Sequence, residues 1–474
     1  MRGFILGFTH VFFLIVIVTV FIFILWRKNV VFPVVLGTFL LAFFYYTDLG
    51  VIDRLISSAQ AVFLAFMNAG IELFDIMLII TLMVAMLQAL RAVGAAELMF
   101  SPLKKLMLNP TTSFFVLGIT MYIASLFFWP TPAIALVGTV LIPIAVKSGL
   151  PAIGAAVAVN LFGHGMALSG DLVVQGAGNL TATAAGLGIG EILPYTALFS
   201  FVVGLVAIPI AFFTIIRGMK KGKWKADETA LDLKTTDTYR GRPKTSKTMA
   251  LVVPLMLLTV IGLMLYRAVF HPEEAIQGQE ATALLGGTAV FLMMIATFAK
   301  SGIQGMSNIV EYMKEGFFFA LKIFAPIIPL AGFFFLGHPD HAEAVLGEGA
   351  PGFLFDIGES LAQYIDGSPA MLVVGIGLIA ILAGLDGSGF SGLPLVGSLS
   401  AALGQATGVD VAILASLGQV ITIFVGGGTL AAWAFGAAAD AGIAGVKPAE
   451  LVRQNFIPVL IGIVVASIVA VWML

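Results

Sequence analysis

Long apolar runs separated by short polar segments dominate this chain. A helix that spans a bilayer needs about 20 mostly apolar residues, and this length predicts about ten spans, near residues 4–25, 30–48, 60–90, 151–185, 190–216, 248–270, 279–298, 315–337, 409–440 and 450–473. Two other apolar stretches, near 111–146 and 369–405, are too long for one span, and helix-breaking residues interrupt each at its middle. Each stretch predicts a re-entrant helical hairpin, which enters the bilayer and returns to the same side.

The composition supports an all-α polytopic membrane protein. Hydrophobic residues make up 60% of the 474 residues and charged residues only 11%, whereas soluble domains are about 25% charged. The absence of cysteine excludes disulfides, thiolate metal sites and cysteine nucleophiles. The net charge of −2 gives no reason to expect a nucleic-acid partner, and no motif indicates a cofactor.

The distribution of basic residues predicts the orientation in the cell membrane. The segment from Arg217 to Lys247 carries ten Lys or Arg against four Asp or Glu, so the positive-inside rule makes it a cytoplasmic linker. Five crossings on either side then place both termini outside. Ten further basic residues fall on the inner side: Arg27, Lys28, Arg91, Lys104, Lys105, Lys147, Lys300, Lys314, Lys447 and Arg453. Arg2, Arg54 and Arg267 are exceptions, and the acidic segment from His338 to Asp366 falls outside.

The two halves, 1–216 and 248–474, contain the same order of elements. Each has two helices, a long helix, a broken hairpin, a polar-interrupted helix and a final helix. The sequence around Leu136-Val137-Gly138 aligns with that around Leu395-Val396-Gly397, and Glu191 then aligns with Glu450. Because five crossings is an odd number, we expect the halves to be inverted repeats, as in many secondary transporters, with a substrate site near the midplane.

Polar residues concentrate at four interruptions: the two hairpin tips and the helices that follow them, within 160–183 and 419–440. Broken helix is tolerated in a membrane only where protein or a watery cavity supplies hydrogen bonds, so the four breaks indicate one shared cavity. The half-helices after Pro132 and Pro394 would direct free amides and positive dipole ends towards it. This arrangement suits an anion.

Three residues are candidates for coupling transport to a cation. Asp386 in the second tip is the strongest, because an acid at membrane depth is costly and usually functional. Its cation is a proton or Na⁺, and the Na⁺ site would lie near Asp386, Gly387 and Ser388. Asp171 is the second and His164 the third. The alternatives are a helix cap or a water-exposed acid for Asp386, a helix cap for Asp171, and a buried hydrogen-bonded ring for His164.

The remaining candidates supply hydroxyl, amide or indole groups for a carboxylate-type substrate. They are Trp129, Thr131, Asn160, Ser169, Asn179, Thr181, Ser388, Ser391, Gln419, Thr422 and Thr429. For any one of them, polar contact between helices is the alternative. Outside these segments, Glu72 and Asp75 share a face of one long helix, and we expect an ion pair with Lys322 of the other.

Two re-entrant hairpins, each followed by an unwound helix, resemble the ion transporter superfamily, which includes gluconate, lactate, citrate and C4-dicarboxylate permeases. The resemblance covers nearly the whole chain. It implies a scaffold domain, a mobile transport domain, dimerisation through the scaffold, and a small organic anion moved with H⁺ or Na⁺. Sodium-dependent dicarboxylate carriers have Ser-Asn-Thr at their tips, whereas these tips read Trp129-Pro130-Thr131-Pro132 and Asp386-Gly387-Ser388-Gly389.

Three other functions are weighed against this one. A cation/proton antiporter of the same fold remains open. A membrane-embedded serine protease is suggested only by Gly-Phe-Ser-Gly at 389–392, and no histidine follows Ser391 to act as its base, so we expect no enzyme. A channel would need a continuous pore, which two hairpins from opposite faces do not favour.

Overall fold

A computed structural model describes residues 7–26, 28–224, 243–271, 274, 276, 278–362 and 368–474. Every regular element in these ranges is helical, which confirms the all-α class. Nine helical stretches there are long and apolar enough to cross a membrane. They include both arms of the first hairpin, and they join the spans expected at 279–298 and 315–337 into one stretch.

The first half begins with α1 (Phe8–Leu25), α2 (Val31–Tyr45) and the 43-residue α3 (Val51–Val93). A short α4 (Ala95–Phe100) leads to the hairpin α5 (Pro110–Phe128) and α6 (Pro130–Lys147). A broken helix follows, formed by α7 (Ala152–Val159), a π-helix (Asn160–Ala167), α8 (Leu168–Gly170) and α9 (Gly176–Ala185). The half ends with α10 (Ile189–Lys220).

The second half repeats this order. It contains α11 (Pro243–Phe270), α12 (Gly278–Ser301) and the long α13 (Met306–Phe335). Short helices α14 (Pro339–Leu346) and α15 (Phe353–Ala362) precede the hairpin α16 (Pro369–Gly384) and α17 (Leu393–Thr407). The second broken helix is α18 (Val411–Phe424), a π-helix (Val425–Thr429) and α19 (Phe435–Ala444), and α20 (Pro448–Met473) ends the chain.

Helix covers both ends of the predicted linker 217–247, because α10 runs on to Lys220 and α11 begins at Pro243. Its middle, residues 225–242, lies outside the described residues. The acidic segment from His338 to Asp366 is helical over α14 and α15, and its positions 363–366 are not among those described.

The first hairpin turns at a single residue. Trp129, with φ of 66°, separates α5 from α6, so the break is shorter than expected and the second arm starts at Pro130 rather than after Pro132. At the open end, the hydroxyls of Ser113 and Ser148 are 2.6 Å apart. The two arms therefore return to the same side, as a re-entrant hairpin must.

Contacts between the halves follow the internal repeat. A Cβ on Gly138 would lie 2.8 Å from Cγ2 of Ile443, and a Cβ on Gly397 would lie 2.8 Å from Cβ of Ala184. Gly397 follows Gly138 by the same number of residues as Ile443 follows Ala184. The second arm of each hairpin thus packs against the last part of the other half's broken helix.

The long helices α3 and α13 cross in opposite directions. A Cβ on Gly316 would meet the carbonyl of Thr81, and one on Gly332 would lie 2.8 Å from the Ala65 carbonyl oxygen. The expected ion pair is wrong, because no salt bridge joins Lys322 to Glu72 or Asp75. Small residues, which allow close backbone approach, hold this crossing instead.

Candidate functional site

The tips of the two hairpins touch. The rings of Trp129 and Phe390 are 5.2 Å apart, inclined by 31°. The Trp129 indole also lies against Gly176, the first residue of α9, where a Cβ would be 3.2 Å from the ring. Both tips and the first broken helix therefore meet in one place.

Beside the first tip lies a mostly buried polar cluster, which we call the His164 cluster: Thr131, Asn160, His164, Asp440 and Asn455. Nδ2 of Asn160 and Nδ1 of His164 each lie 2.8 Å from Oδ2 of Asp440. Nε2 of His164 is 3.1 Å from the Thr131 hydroxyl, and Nδ2 of Asn455 donates to Oδ1 of Asn160 over 2.7 Å. Four of the five side chains are fully buried, and Thr131 is half-buried.

The π-helix explains how three of these groups come together. A π-helix is rare and usually marks a functional site, because its wider turn redirects side chains. Asn160 and His164 both lie on it, four residues apart, and both face Asp440 on α19. The cluster therefore joins the first broken helix to the second.

The acid of the second tip is hydrogen-bonded within that tip. Asp386 accepts hydrogen bonds from the Ser388 amide at 2.9 Å and from its hydroxyl at 2.7 Å. The Ser388 hydroxyl is also 2.7 Å from that of Ser391. The cap interpretation of Asp386 is wrong, because its carboxylate bonds to the turn and α17 begins only at Leu393. Its ion-binding role, and Na⁺ at Asp386, Gly387 and Ser388, stay predictions.

The second tip opens on a cavity of about 310 Å³. Asp386, Ser388 and Ser391 line it together with Lys28 and Asn29 of the connection between α1 and α2. One acid, one base and two hydroxyls thus face the same space. We call it the Lys28 cavity.

Asp171 has the geometry of a helix cap. It ends α8 with φ of 39°, and its Oδ2 accepts the amide of Ala177 in the first turn of α9 over 2.8 Å. The alternative considered from the sequence is therefore present, and a coupling role for Asp171 stays a prediction. Nearby, Ser169 donates to Ser200 over 2.9 Å, and Nε2 of Gln419 donates to the Ser169 carbonyl over 3.0 Å.

The tip glycines approach protein backbone rather than an open site. Gly387 and Gly389 have φ of 84° and 76°, which only glycine adopts without strain. A Cβ on Gly389 would lie 3.0 Å from the Gly427 amide nitrogen. Gly389 therefore allows a close contact between the second tip and the second π-helix.

A larger cavity, of about 760 Å³, lies between α3, α9 and α12. Asn179 and Thr183 of α9 line it opposite Glu72 and Asp75 of α3. We call it the Glu72 cavity.

Three other predicted residues, Thr181, Thr422 and Thr429, belong neither to the His164 cluster nor to the lining of the Lys28 or Glu72 cavity. Thr422 donates to the Ala380 carbonyl over 3.3 Å, and Thr429 donates to the Phe424 carbonyl. Thr181 is fully buried on α9. Thr422 therefore makes the contact between helices that was the alternative, whereas Thr429 bonds within its own broken helix.

Several buried polar atoms near the tips accept or donate no hydrogen bond within the described part of the chain. They are the indole nitrogen of Trp129, Oε1 of Gln175, the hydroxyl of Thr181, Oε1 of Gln419 and Oδ1 of Asp440. Buried polar atoms without partners are uncommon in folded proteins. Their concentration at the breaks is typical of a site that binds polar ligands or water.

Asp440 and Asn455 were missed as candidates. Asp440 carries the same signal that singled out Asp386, an acid within an apolar stretch, here Phe-Gly-Ala-Ala-Ala-Asp. Nothing local in the sequence shows that it faces His164, which lies 276 residues earlier. Among the described residues, no group of three His, Cys, Asp or Glu side chains is arranged to hold a metal ion.

Comparisons with known proteins found a sequence relative, which is a membrane protein, and a solved structure of similar fold. No protein-family model matches the sequence. A solved structure titled "Structure and Function of Neisseria gonorrhoeae MtrF Illuminates a Class of Antimetabolite Efflux Pumps" is similar in fold, with a TM-score of 0.58, 13% identity, and coverage of 88% of this chain and 84% of that one. The uncharacterized membrane protein YhfA of Bacillus subtilis (strain 168) is 37% identical over 470 residues, which is 98% of each chain. The chain therefore belongs to the same family of multi-pass membrane proteins as YhfA.

Proposed function

We propose that this protein is a secondary active transporter. It moves a small organic anion of the carboxylate type across the cytoplasmic membrane, coupled to H⁺ or Na⁺, by alternating access. The observation that carries the proposal is the contact between Trp129 and Phe390. It joins two hairpin tips at the point where the following helix of each half is broken, which is the arrangement that places ligands at the interface of transporter repeats.

The Lys28 cavity supports an organic anion. It combines the cationic Lys28 with the hydroxyls of Ser388 and Ser391 and with Asp386, whose carboxylate already accepts from Ser388. Helix α17 starts beside it at Leu393. The N-terminal amides and positive dipole end of such a helix favour a carboxylate.

The two cavities support alternating access. The Lys28 cavity adjoins the connection between α1 and α2, which the charge distribution predicts to be cytoplasmic. The Glu72 cavity includes Thr282 near the start of α12, on the side predicted to be outside. A carrier needs one approach from each side, and these cavities are the two candidates.

A cation/proton antiporter is the second candidate. Glu72 and Asp75 both line the larger cavity, and a cavity lined by one sign of charge concentrates ions of the opposite sign. For the direction of transport we propose export from the cell. The support is the solved structure of similar fold, whose title names a class of antimetabolite efflux pumps.

Flux measurements in proteoliposomes test the proposal. We expect at least one labelled acid among gluconate, lactate, citrate and succinate to be transported with saturation, and an imposed H⁺ or Na⁺ gradient to drive it. Loss of the gradient should abolish accumulation. Conductance that is ohmic and independent of the gradient would instead show a channel, and cation exchange without anion flux would favour the antiporter.

The role of Asp386 is tested in the same assay by Asp386→Asn. We expect reduced dependence of uptake on the ion gradient. Asp410→Asn is the matched control, because Asp410 is exposed and caps α18 through the amides of Ala412 and Ile413, a role that asparagine also fills. Full gradient dependence in Asp386→Asn would remove Asp386 from the coupling mechanism.

A further inference from the structure

The His164 cluster connects the two halves through hydrogen bonds that depend on one proton. Oδ2 of Asp440 accepts from Asn160, and Nδ1 of His164 is 2.8 Å from the same oxygen. A carboxylate accepts hydrogen bonds, so Nδ1 carries a hydrogen. The protonation state of the ring is then decided at Nε2, which faces Thr131.

The Thr131 hydroxyl must reverse its role when Nε2 binds a proton. In the neutral ring, Nε2 accepts the hydroxyl hydrogen of Thr131 over 3.1 Å. In the charged ring, Nε2–H donates, and the hydroxyl becomes the acceptor. Thr131 is the second residue of α6, two positions after Trp129 at the turn of the hairpin. A proton on His164 therefore changes the hydrogen bonding of the first tip.

We propose that His164 and Asp440 form a buried proton-binding site that couples proton movement to the position of the first hairpin tip through Thr131. This inference rests on the proposed transport function and assigns H⁺ as its coupling ion. The proton binds at Nε2 and leaves from the same atom, so no covalent bond between heavy atoms changes.

Burial explains why the proton and the conformation depend on each other. Both side chains have no exposed area. With the ring charged, imidazolium and carboxylate together are neutral. With the ring neutral, the pair leaves one negative charge in a buried site, which is costly. Binding the proton therefore stabilises the arrangement seen here, in which the His164–Asp440 pair is buried. Losing the proton favours an arrangement in which water reaches the pair.

No other charged group is bonded to this pair. On the helices packed against Asp440, the ionisable side chains are Lys147, Glu450 and Arg453, all exposed at helix ends. On α5 and α10, which pack against the π-helix, they are Tyr122, Glu191, Tyr195, Arg217 and Lys220. None makes a hydrogen bond to His164 or Asp440 among the described residues, and Oδ1 of Asp440 has no partner there. Arg91 of α3 donates to the carbonyl of Pro132, the residue after Thr131, over 3.2 Å, whereas His164 is the ionisable side chain bonded to Asp440 itself.

Histidine NMR tests the site directly, because the chain contains only five histidines. In protein labelled with ¹⁵N-histidine and reconstituted in nanodiscs, one signal is assigned to His164 by its loss in His164→Gln. We expect this signal to show both the imidazolium and the neutral imidazole form as the pH is varied. In Asp440→Asn, which removes the neighbouring carboxylate, the pH response of this signal should differ from that of the wild-type protein.

A second His–Asp pair provides the matched control. Nε2 of His10 is 3.0 Å from Oδ2 of Asp356, with 10% and 14% of these side chains exposed. Asp356→Asn should move the His10 signal and leave that of His164 unchanged. A His164 signal that keeps one protonation state over the whole range, or that titrates identically in Asp440→Asn, would overturn the proposal.

Hydrogen exchange of residues 127–133 tests the link to the tip. Corrected for the intrinsic pH effect, protection of this segment should differ below and above the His164 midpoint, and Thr131→Val should abolish the difference. Thr139→Val on the same helix should keep it, because the Thr139 hydroxyl bonds only to carbonyls of its own helix. A pH-dependent difference that persists in Thr131→Val would contradict coupling through this hydroxyl.

Failure of the proton site and failure of the transport proposal give different results. Anion flux that keeps its full H⁺ dependence in Asp440→Asn would overturn the site and leave the transporter standing. A titrating His164 with an exchange difference, but no flux of any tested anion, would support the site and contradict the proposed substrate.

Discussion

The two hairpin tips occupy corresponding places in the two halves but are bonded in different ways. The first tip is a single residue, and Thr131 beside it reaches His164 and, through it, Asp440 of the other half. The second tip, residues 385–392, bonds its acid to its own serine and opens on the Lys28 cavity. One architecture thus holds a buried charge at one tip and polar groups facing a cavity at the other.

The largest expected effect comes from removing Asp440, which Thr131 of the first tip reaches through His164, and then Asp386 of the second tip. Asp440→Ala leaves the donors of Asn160 and His164 without an acceptor inside the protein, which should cost about 3–5 kcal/mol of unfolding free energy. Asp386→Ala breaks only bonds within a half-buried turn and should cost about 1–2 kcal/mol. Denaturant unfolding in detergent measures both. Equal losses would show that the tips do not differ in this way.

Glycine substitutions test how tightly the second tip packs against the second π-helix. Gly389→Ala should cost about 2–4 kcal/mol, from a left-handed backbone and from a Cβ only 3.0 Å from the Gly427 amide nitrogen. Gly408→Ala is the matched control, because Gly408 has φ of 72° but nothing within 4 Å of its Cβ position. It should cost only the backbone strain, about 1–2 kcal/mol. The same loss in both variants would mean that the second tip does not pack tightly on the π-helix.

The charge of the Lys28 cavity is tested by Lys28→Gln. If this cavity attracts the anion, the apparent affinity for a transported acid should weaken about two- to fivefold, which is the range expected of an exposed charge. Lys28→Arg should retain the wild-type value. An unchanged affinity in Lys28→Gln would separate the cavity from substrate binding and leave the second tip without its proposed ligand contact.

The smallest effect concerns histidines outside both tips. Burial lowers the pKa of His338 and His341 below the ordinary 6.5, and His338 lowers that of His341 further. Asn68 donates to Nδ1 of His341 over 2.9 Å, which needs a neutral ring. The unfolded chain therefore binds more protons just below pH 6.5, so stability is complete above that pH and falls as the pH drops towards the lowered pKa values.

Thermal unfolding between pH 7.5 and 5 measures this dependence. His341→Asn should flatten it, whereas His271→Gln, which replaces an exposed histidine, should leave it intact. A steeper fall in His341→Asn would reverse the assigned sign. His341 is hydrogen-bonded to Asn68, and His164 to Thr131 and Asp440. The His341 variant should therefore leave the His164 signal unchanged.

Much of the fold is predictable from the sequence, because hydrophobic run length and helix-breaking residues act locally. The pairing of Gly138 with Gly397 is one example: both glycines pack against the other half's broken helix. The hairpin break at Trp129 was predicted too long, since Pro130 and Pro132 fit within the first turn of α6, where proline needs no amide partner.

The site was less predictable, because its contacts join distant parts of the chain. His164 and Asn160 were candidates, but their acceptor, Asp440, lies on α19 and was not chosen. Its depth is visible in the sequence, whereas its partner depends on the π-helix and on how the halves pack. For Asp386, the sequence predicts the residue as a site candidate but does not predict its hydrogen bond to Ser388.

The central claim, alternating access between two cavities, is tested most directly by cysteine labelling, which the absence of native cysteine allows. Asn29→Cys reports on the Lys28 cavity and Thr183→Cys on the Glu72 cavity. In proteoliposomes, the rates of reaction with a small maleimide are measured at pH 7.5 and 5.5. The account predicts opposite changes, with one cysteine reacting faster where the other reacts more slowly. Rates that change together, or that do not change at either position, would contradict it.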